Sequence, residues 1–229
     1  MDDNVSSMAV RSDTYRDLRL GMVDKQIRRR GVKDERVLQA MSNVPRHEFV
    51  PRECIGRAYE DEPLPIGEGQ TISQPYIVAA MTALLRLEGA ERVLEIGTGC
   101  GYQAAVLSEL AQEVFTVELR AALARAANDR LQRLGFRNVH VHCGDGSLGL
   151  PELAPFDAIL VAAAAPALPP PLLEQLAEGG RMVMPVGGPS EQELLLVNKK
   201  GSECAIQHVG ACRFVPLHGR HGGKEAATG

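Results

Sequence analysis

Residues Arg92–Tyr102, RVLEIGTGCGY, constrain this chain more than any other stretch. Val93, Leu94 and Ile96 form a short apolar run, the pattern of a strand buried on both faces. Gly97, Gly99 and Gly101 follow at alternate positions, and Tyr102–Leu110 then carries Ala105, Val106 and Leu110 at helical spacing. The order is strand, glycine turn, helix. Glycine tolerates positive φ and lets a ligand come close to the backbone. The spacing is G-x-G-x-G, not the G-x-G-x-x-G of dinucleotide-binding turns. No Lys-Ser or Lys-Thr follows, so it is not a P-loop either. Both facts argue against a ligand that needs a phosphate cradle. Glu95 stands two residues before the first glycine, and Glu118 closes the next apolar run, VFTVE. A doubly wound fold places its ribose-binding carboxylate there, about twenty residues beyond the turn. An ionised carboxylate only accepts hydrogen bonds and can take both ribose hydroxyls.

Strands and helices alternate after Arg92, which predicts an α/β doubly wound, mostly parallel, Rossmann-like sheet. The predicted strands are Val93–Ile96, Val114–Glu118, Val139–Cys143, Phe156–Ala162 and Arg181–Pro185. Glu193–Asn198 and Ala205–Val215 follow as C-terminal antiparallel strands. Leu123, Ala127, Leu131 and Leu134 stripe a helix that stops at Gly135, and a helix from Leu172 is predicted to end at Gly179-Gly180. The opening third shows no strand alternation and is expected to be an N-terminal helical cap. One helix spans Thr14–Arg30 and stops at Gly31, and Asp34 caps a second. Residues 1–12 are predicted to be a disordered extension and 219–229 a loose tail. Between them lies one domain, 13–218: helical cap and substrate loop 13–76, cofactor-binding core 77–200, closing strand 201–218.

Two residues carry open alternatives on local sequence alone. Ser73 stands beside a helix that begins near Pro75. It reads as an N-cap or as a hydroxyl facing a ligand, and the local pattern favours the cap. Asp145, in Gly144-Asp145-Gly146, ends a strand where parallel sheets bind ligands. It would accept from an exocyclic amine such as adenine's, or else satisfy its own turn. His140 and His142 share a strand face but have no further ligand nearby, so no metal is expected.

Composition excludes several classes. The net charge is -4, so no overall field attracts nucleic acid or an anionic membrane. No apolar stretch reaches membrane-spanning length. The start, MDDNVSSMAVRS, lacks the apolar core of a signal peptide. The five cysteines are scattered, with no C-x-x-C pair. A reduced, cytoplasmic protein fits that usage, and a monomer is expected.

The combination Glu95-x-Gly-x-Gly-x-Gly with Glu118 resembles the cofactor site of S-adenosylmethionine-dependent methyltransferases. Further segments narrow the likeness: VPRHEFVP, GQTISQPY, RVLEIGTGCGYQAA, HCGDG, APFDAI, GGRMVMPVG and RFVPL. In order and spacing, from about Val23 to His218, these resemble the protein-L-isoaspartate (D-aspartate) O-methyltransferase family. QTISQPY is the segment that singles the family out.

The resemblance implies methyl transfer from S-adenosyl-L-methionine to the α-carboxylate of L-isoaspartyl residues, leaving S-adenosyl-L-homocysteine. The ester then closes to a succinimide, which begins repair of isoaspartyl-containing proteins and peptides. The positions it assigns to the cofactor are Gln70, Thr71, Ile72, Gly97, Thr98, Gly99, Cys100, Gly101, Glu118, Asp145 and Gly146. It makes Ser73 the active-site residue and gives the substrate Ser73, Val215, Pro216 and Leu217. Cys100 departs from the Ser common among relatives; both are small. Two rivals remain at this stage: a methyltransferase acting on a small molecule or nucleic acid, and a non-catalytic binding module on the same fold.

Overall fold

The structure is a computed structural model and describes residues 15–201 and 203–223. The extension expected over 1–12, and residues 224–229 of the expected tail, lie outside the described residues. The chain is helical through residues 15–30, here α1, passing through a π turn at Val23–Ile27 and a 3-10 turn at Arg28–Arg30. Gly31 ends it in the left-handed region, as the sequence predicts. Asp34 caps α2 (Glu35–Asn43) by accepting from the backbone N–H of Arg36 and Val37. Val23, Ile27, Val37, Leu38 and Met41 bury the inner faces of both helices in one core cluster.

The helical cap is present, and the loop that follows it holds a hairpin that the sequence pattern does not predict. Leu64–Gly67 (β1) and Gln70–Ile72 (β2) pair as an antiparallel hairpin. Glu68 and Gly69 turn it at φ 51° and 68°, the geometry that two-residue hairpin loops favour. Leu64 pairs with Ile72, and both are buried. Strands this short leave no alternation to read.

The main sheet has seven strands in the order β5-β4-β3-β6-β7-β8-β9. They are β3 (Arg92–Ile96), β4 (Glu113–Glu118), β5 (Val139–Cys143), β6 (Phe156–Val161), β7 (Leu176–Gly187), β8 (Gln192–Lys200) and β9 (Glu203–Cys212). The pairs from β5 across to β7 are parallel; β8 and β9 close the sheet antiparallel. Helices α3 (Pro75–Leu85), α4 (Tyr102–Ser108), α5 (Ala121–Leu134) and α6 (Pro170–Gln175) connect or cover these strands. Alternate strand residues bury on opposite faces: Val93, Val114 and Leu160 in one cluster, Leu94, Phe115 and Ile159 in the other. The strand order reverses between β3 and β6, so a crevice opens there at the carboxyl edge, where open α/β sheets bind ligands.

Two further expectations change. The helix from Pro170 ends at Gln175, and Gly179-Gly180 lies inside β7. Lys199 explains the early stop: its ammonium donates to the carbonyls of Leu173 (2.8 Å) and Leu176 (2.6 Å), satisfying helix-end acceptors. The glycines fill an irregularity, since Phe156 pairs with Leu176 but Ala158 pairs with Arg181. The start of the expected loose tail is also held. The N–H of Arg220 donates to Asp145 (2.8 Å) and that of His221 to the Ser147 hydroxyl (3.0 Å).

Candidate active site

The crevice is built first from the glycine turn. After β3 the N–H groups of Gly97 and Thr98 both donate to the Val117 carbonyl, at 2.9 and 3.3 Å. The chain thus crosses the end of β4 and brings Gly99 to Glu118. The Gly99 N–H donates to Glu118 Oε2 at 2.8 Å, and the Arg120 N–H to Oε1 at 3.0 Å. Two backbone donors therefore aim the carboxylate, which is buried at 7 % exposure yet lines the cleft. A carboxylate has about four acceptor sites, so a diol can still be accepted.

Behind the turn runs a buried polar chain. The hydroxyls of Thr98 and Thr116 lie 2.7 Å apart, and Thr116 donates to Glu95 Oε2 at 2.5 Å. Glu95 is fully buried, and its Oε1 has no hydrogen-bond partner among the described residues. Burial pushes its carboxyl up to about 8; the Thr116 hydrogen bond opposes this, and the Glu118 charge adds to it.

Ser73 follows β2 directly, and the structure decides between its two local readings. It does not cap α3: the N-cap position is Gln74, with no side-chain cap. Asp61 serves the helix instead, accepting from the Tyr76 N–H and the Gln74 amide, both at 3.2 Å. Arg30 pairs with the same carboxylate and lies over the Tyr76 ring. The Ser73 hydroxyl is left to face the cleft, with no hydrogen bond among the described residues. Asp61 thus ties α1 to the segment that presents Ser73. Asp61→Ala should lower the melting temperature by several degrees, from about 1–3 kcal/mol of lost charged hydrogen bonding. Calorimetric titration should find S-adenosylhomocysteine affinity little changed. An unaltered melt would contradict this tie.

The opposite wall is the segment after β9. The Ala164 N–H donates to Val215 O (2.9 Å), and the Leu217 N–H donates back to Ala164 O (2.7 Å). Val215, Pro216 and Leu217 are thereby fixed along the small-residue loop that leaves β6. Gln70, Thr71, Ile72, Ser73, Gly97, Thr98, Gly99, Cys100, Glu118, Gly146 and Val215 to Leu217 all line one cleft. Cys100 is buried there, and burial raises its thiol pKa; its carbonyl accepts from Arg130 at 2.9 Å.

Two expected cofactor positions are not in that lining. Gly101 heads α4, turned towards α5, and a Cβ there would meet Leu131 at 3.1 Å. Its need is close helix packing. Asp145 has both oxygens engaged: Oδ1 accepts from the Ser147 N–H (2.9 Å) and hydroxyl (2.7 Å), and Oδ2 from Arg220 N–H. These bonds tie it to its own turn and to the segment after Leu217, while Oδ2 keeps an acceptor site; burial acts to raise its pKa, and the donors from Arg220 and Ser147 leave it lowered. His140 stacks on Phe115 (ring centroids 5.0 Å) and lies 3.4 Å from Glu113.

Several lining residues were not foreseen: Leu119, Gln103, Arg120, Phe214 and His218. Leu119 had a signal. It is a large apolar residue directly after the strand-ending acid, and it remains 41 % exposed inside the cleft. A flat apolar ligand face would cover it.

The model of the protein-L-isoaspartate(D-aspartate) O-methyltransferase family matches residues 19–222. The chain belongs to this family. It is similar to protein-L-isoaspartate O-methyltransferase 2 of Shewanella sediminis, 54 % identical over 91 % of this chain and 86 % of the relative. The Syntrophus aciditrophicus protein-L-isoaspartate O-methyltransferase is also 54 % identical, over 92 % of this chain and 98 % of its own. A solved protein-L-isoaspartate O-methyltransferase superposes with TM-score 0.81 at 33 % identity, covering 90 % of this chain and 67 % of that one. A putative Plasmodium falciparum member, solved in complex with S-adenosyl-L-homocysteine, has TM-score 0.75 at 24 % identity, over 87 % of this chain and 98 % of that one. That last likeness speaks to fold alone. Membership accounts for the joint presence of the glycine turn and the QTISQPY hairpin in one cleft.

Proposed function

We infer that this cleft carries out the reaction for which the family is named. A methyl group passes from S-adenosyl-L-methionine to the α-carboxylate of L-isoaspartyl residues in damaged proteins and peptides. The ester can then close to a succinimide and begin repair. The observation that carries this reading is one lining that holds a carboxylate fit to accept a diol, Glu118, and a hydroxyl unengaged among the described residues, Ser73.

The residues present suit the cofactor. Glu118 would accept from the ribose hydroxyls and Leu119 would cover a face of the base. The turn Gly97–Cys100 would admit the nucleoside and amino-acid portion close to the backbone. Gln70, Thr71 and Ile72 wall it from the substrate side, and Gly146 flanks it near β5. When bound, S-adenosylmethionine supplies an electrophilic methyl group on a sulfonium.

The protein's own task is then orientation. The acceptor carboxylate has a pKa near 3–4 and is already ionised at neutral pH, so no general base is required. Ser73 would donate its hydroxyl hydrogen to one carboxylate oxygen, leaving the other to attack. Val215, Pro216 and Leu217 would meet the peptide backbone. Holding reactants in line supplies several kcal/mol, and the apolar walls, Met81, Val117 and Phe214, limit water around charges that cancel on transfer.

Two substitutions separate these roles. Ser73→Ala should lower kcat by about tenfold, the loss of one hydrogen bond to a charged group. Titration should show S-adenosylhomocysteine binding nearly unchanged; an equal loss of binding would remove Ser73 from the substrate role. Glu118→Ala should weaken S-adenosylhomocysteine by about 1–3 kcal/mol, because a charged acceptor is lost and two N–H groups lose their partner. An unchanged dissociation constant would refute the diol assignment.

The whole reading is tested by radiolabelled methyl transfer to an isoaspartyl peptide beside its normal aspartyl twin. Labelling of the first alone is expected; equal labelling, or none, contradicts it. The reading includes a cytoplasmic monomer acting on protein and not on nucleic acid or membrane. The net charge of -4 and five free cysteines support it. Among the described residues no helix is long and apolar enough to cross a membrane.

A further inference from the structure

Beside the cleft lies a second lobe, part of whose lining has no role above. Pro63, Gln74, Ile77 and Arg213 line it, and it shares Ser73 and Val215 with the first lobe. Arg213 is its one charged lining residue. The side chain is exposed and has no ion-pair partner among the described residues. That contrasts with Arg28, Arg29, Arg30, Arg57 and Arg133, each of which pairs with a carboxylate.

The backbone beside Arg213 is fixed in place. The half-buried neighbour Phe214 donates its N–H to Gln192 Oε1 at 2.6 Å, and its carbonyl accepts from Gln192 Nε2 at 3.1 Å. Gln192 itself is buried. This clamp on both backbone groups of Phe214 fixes the chain from which Arg213 lines the lobe. The lobe therefore combines apolar Pro63 and Ile77, the Gln74 amide already bound to Asp61, and a guanidinium with no ion-pair partner among the described residues. A guanidinium offers paired donors that match a carboxylate. The chain as a whole is acidic, so this local cation stands out against its net field.

We propose that this lobe is a specificity subsite, in which Arg213 selects isoaspartyl peptides that carry an acidic side chain close in sequence to the damaged residue. The proposal rests on the reading that the isoaspartyl carboxylate lies at Ser73. With that carboxylate at the junction of the lobes, one flank of the peptide must leave across Pro63 and Ile77. The stem of a flanking Asp or Glu lies on these two residues, and its carboxylate meets Arg213. A flanking Lys is repelled.

The test is a set of isoaspartyl peptides that differ only in Glu, Gln or Lys at one position, scanned through two residues on either side. With the wild-type protein, kcat/KM should favour Glu over Lys by about fivefold at the flank the lobe receives, as expected of a solvent-facing ion pair. The preference should lie in KM and shrink as salt is raised. Arg213→Ala should bring the Glu-to-Lys ratio to one, Arg213→Lys should keep part of it, and Arg213→Glu should invert it. The ratio is taken within each variant, so a general loss of activity or folding cancels. Two failures can be told apart. If the wild type does not methylate even the Gln peptide, the proposed function fails, and the subsite with it. If the Gln peptide is methylated but Glu and Lys rank equally everywhere, or Arg213→Glu keeps the wild-type order, the subsite is overturned and the function stands.

Discussion

Gly99→Val should abolish measurable S-adenosylhomocysteine binding while the protein still folds. Gly99 sits at φ 52° in the middle of the turn. A β-branched residue is strained in that region by about 1–2 kcal/mol. A Cβ there would also lie 3.1 Å from the Ile66 side chain, before the two methyls of valine are placed. Ile66 belongs to the β1–β2 hairpin, so the turn and the hairpin approach each other closely at this residue. The valine either occupies the space the cofactor needs or swings the Gly99 N–H away from Glu118, and both outcomes damage the diol acceptor. Gly101→Ala is the informative companion. That position packs against Leu131 outside the cleft lining, so its substitution should cost stability more than affinity. Calorimetric titration of both variants, with thermal melts, checks the pair. Normal binding by Gly99→Val would show that the turn does not touch the cofactor.

The buried Glu95 should make the protein less stable as pH rises from about 4.5 to about 8. The sign follows from proton counting. Its ordinary value is 4.5, so the carboxyl ionises there in the unfolded chain, while the folded chain keeps it neutral up to about 8. Between those values the folded state holds more protons, and each pH unit removes up to about 1.4 kcal/mol of stability. The contribution is complete below 4.5 and gone above about 8. Burial is the main cause, since among the described residues only Thr116 bonds the group and Oε1 faces no donor. Glu95→Gln removes the titration, so its melts from pH 5 to 8 should fall less steeply than those of the wild type and lie above them at pH 8. Parallel melting curves for the two proteins would show that Glu95 is already ionised in the fold.

What the sequence revealed was local. The strand, turn and helix of Arg92–Ser108 follow from residues adjacent in the chain, and so does Glu118 at the end of its strand. Most of the expected cleft residues lie in these segments, in QTIS and in VPL. The hairpin at Leu64–Ile72 escaped because its inward face is one pair of residues. Asp145 was placed rightly at a strand end, but its direction depends on Arg220, far along the chain. Ser73 was freed from capping by Asp61, and the backbone next to Arg213 was fixed by Gln192; neither partner is visible from local pattern. Contacts made across the fold decided which side chains face the cleft and which are already engaged.

The most direct measurement is a crystal structure grown with S-adenosylhomocysteine and an isoaspartyl peptide. The ribose should lie on Glu118, the base against Leu119, and the sulfur should face a substrate carboxylate held by Ser73. A nucleoside bound away from Gly97 and Glu118, or a peptide carboxylate remote from Ser73, would contradict the account.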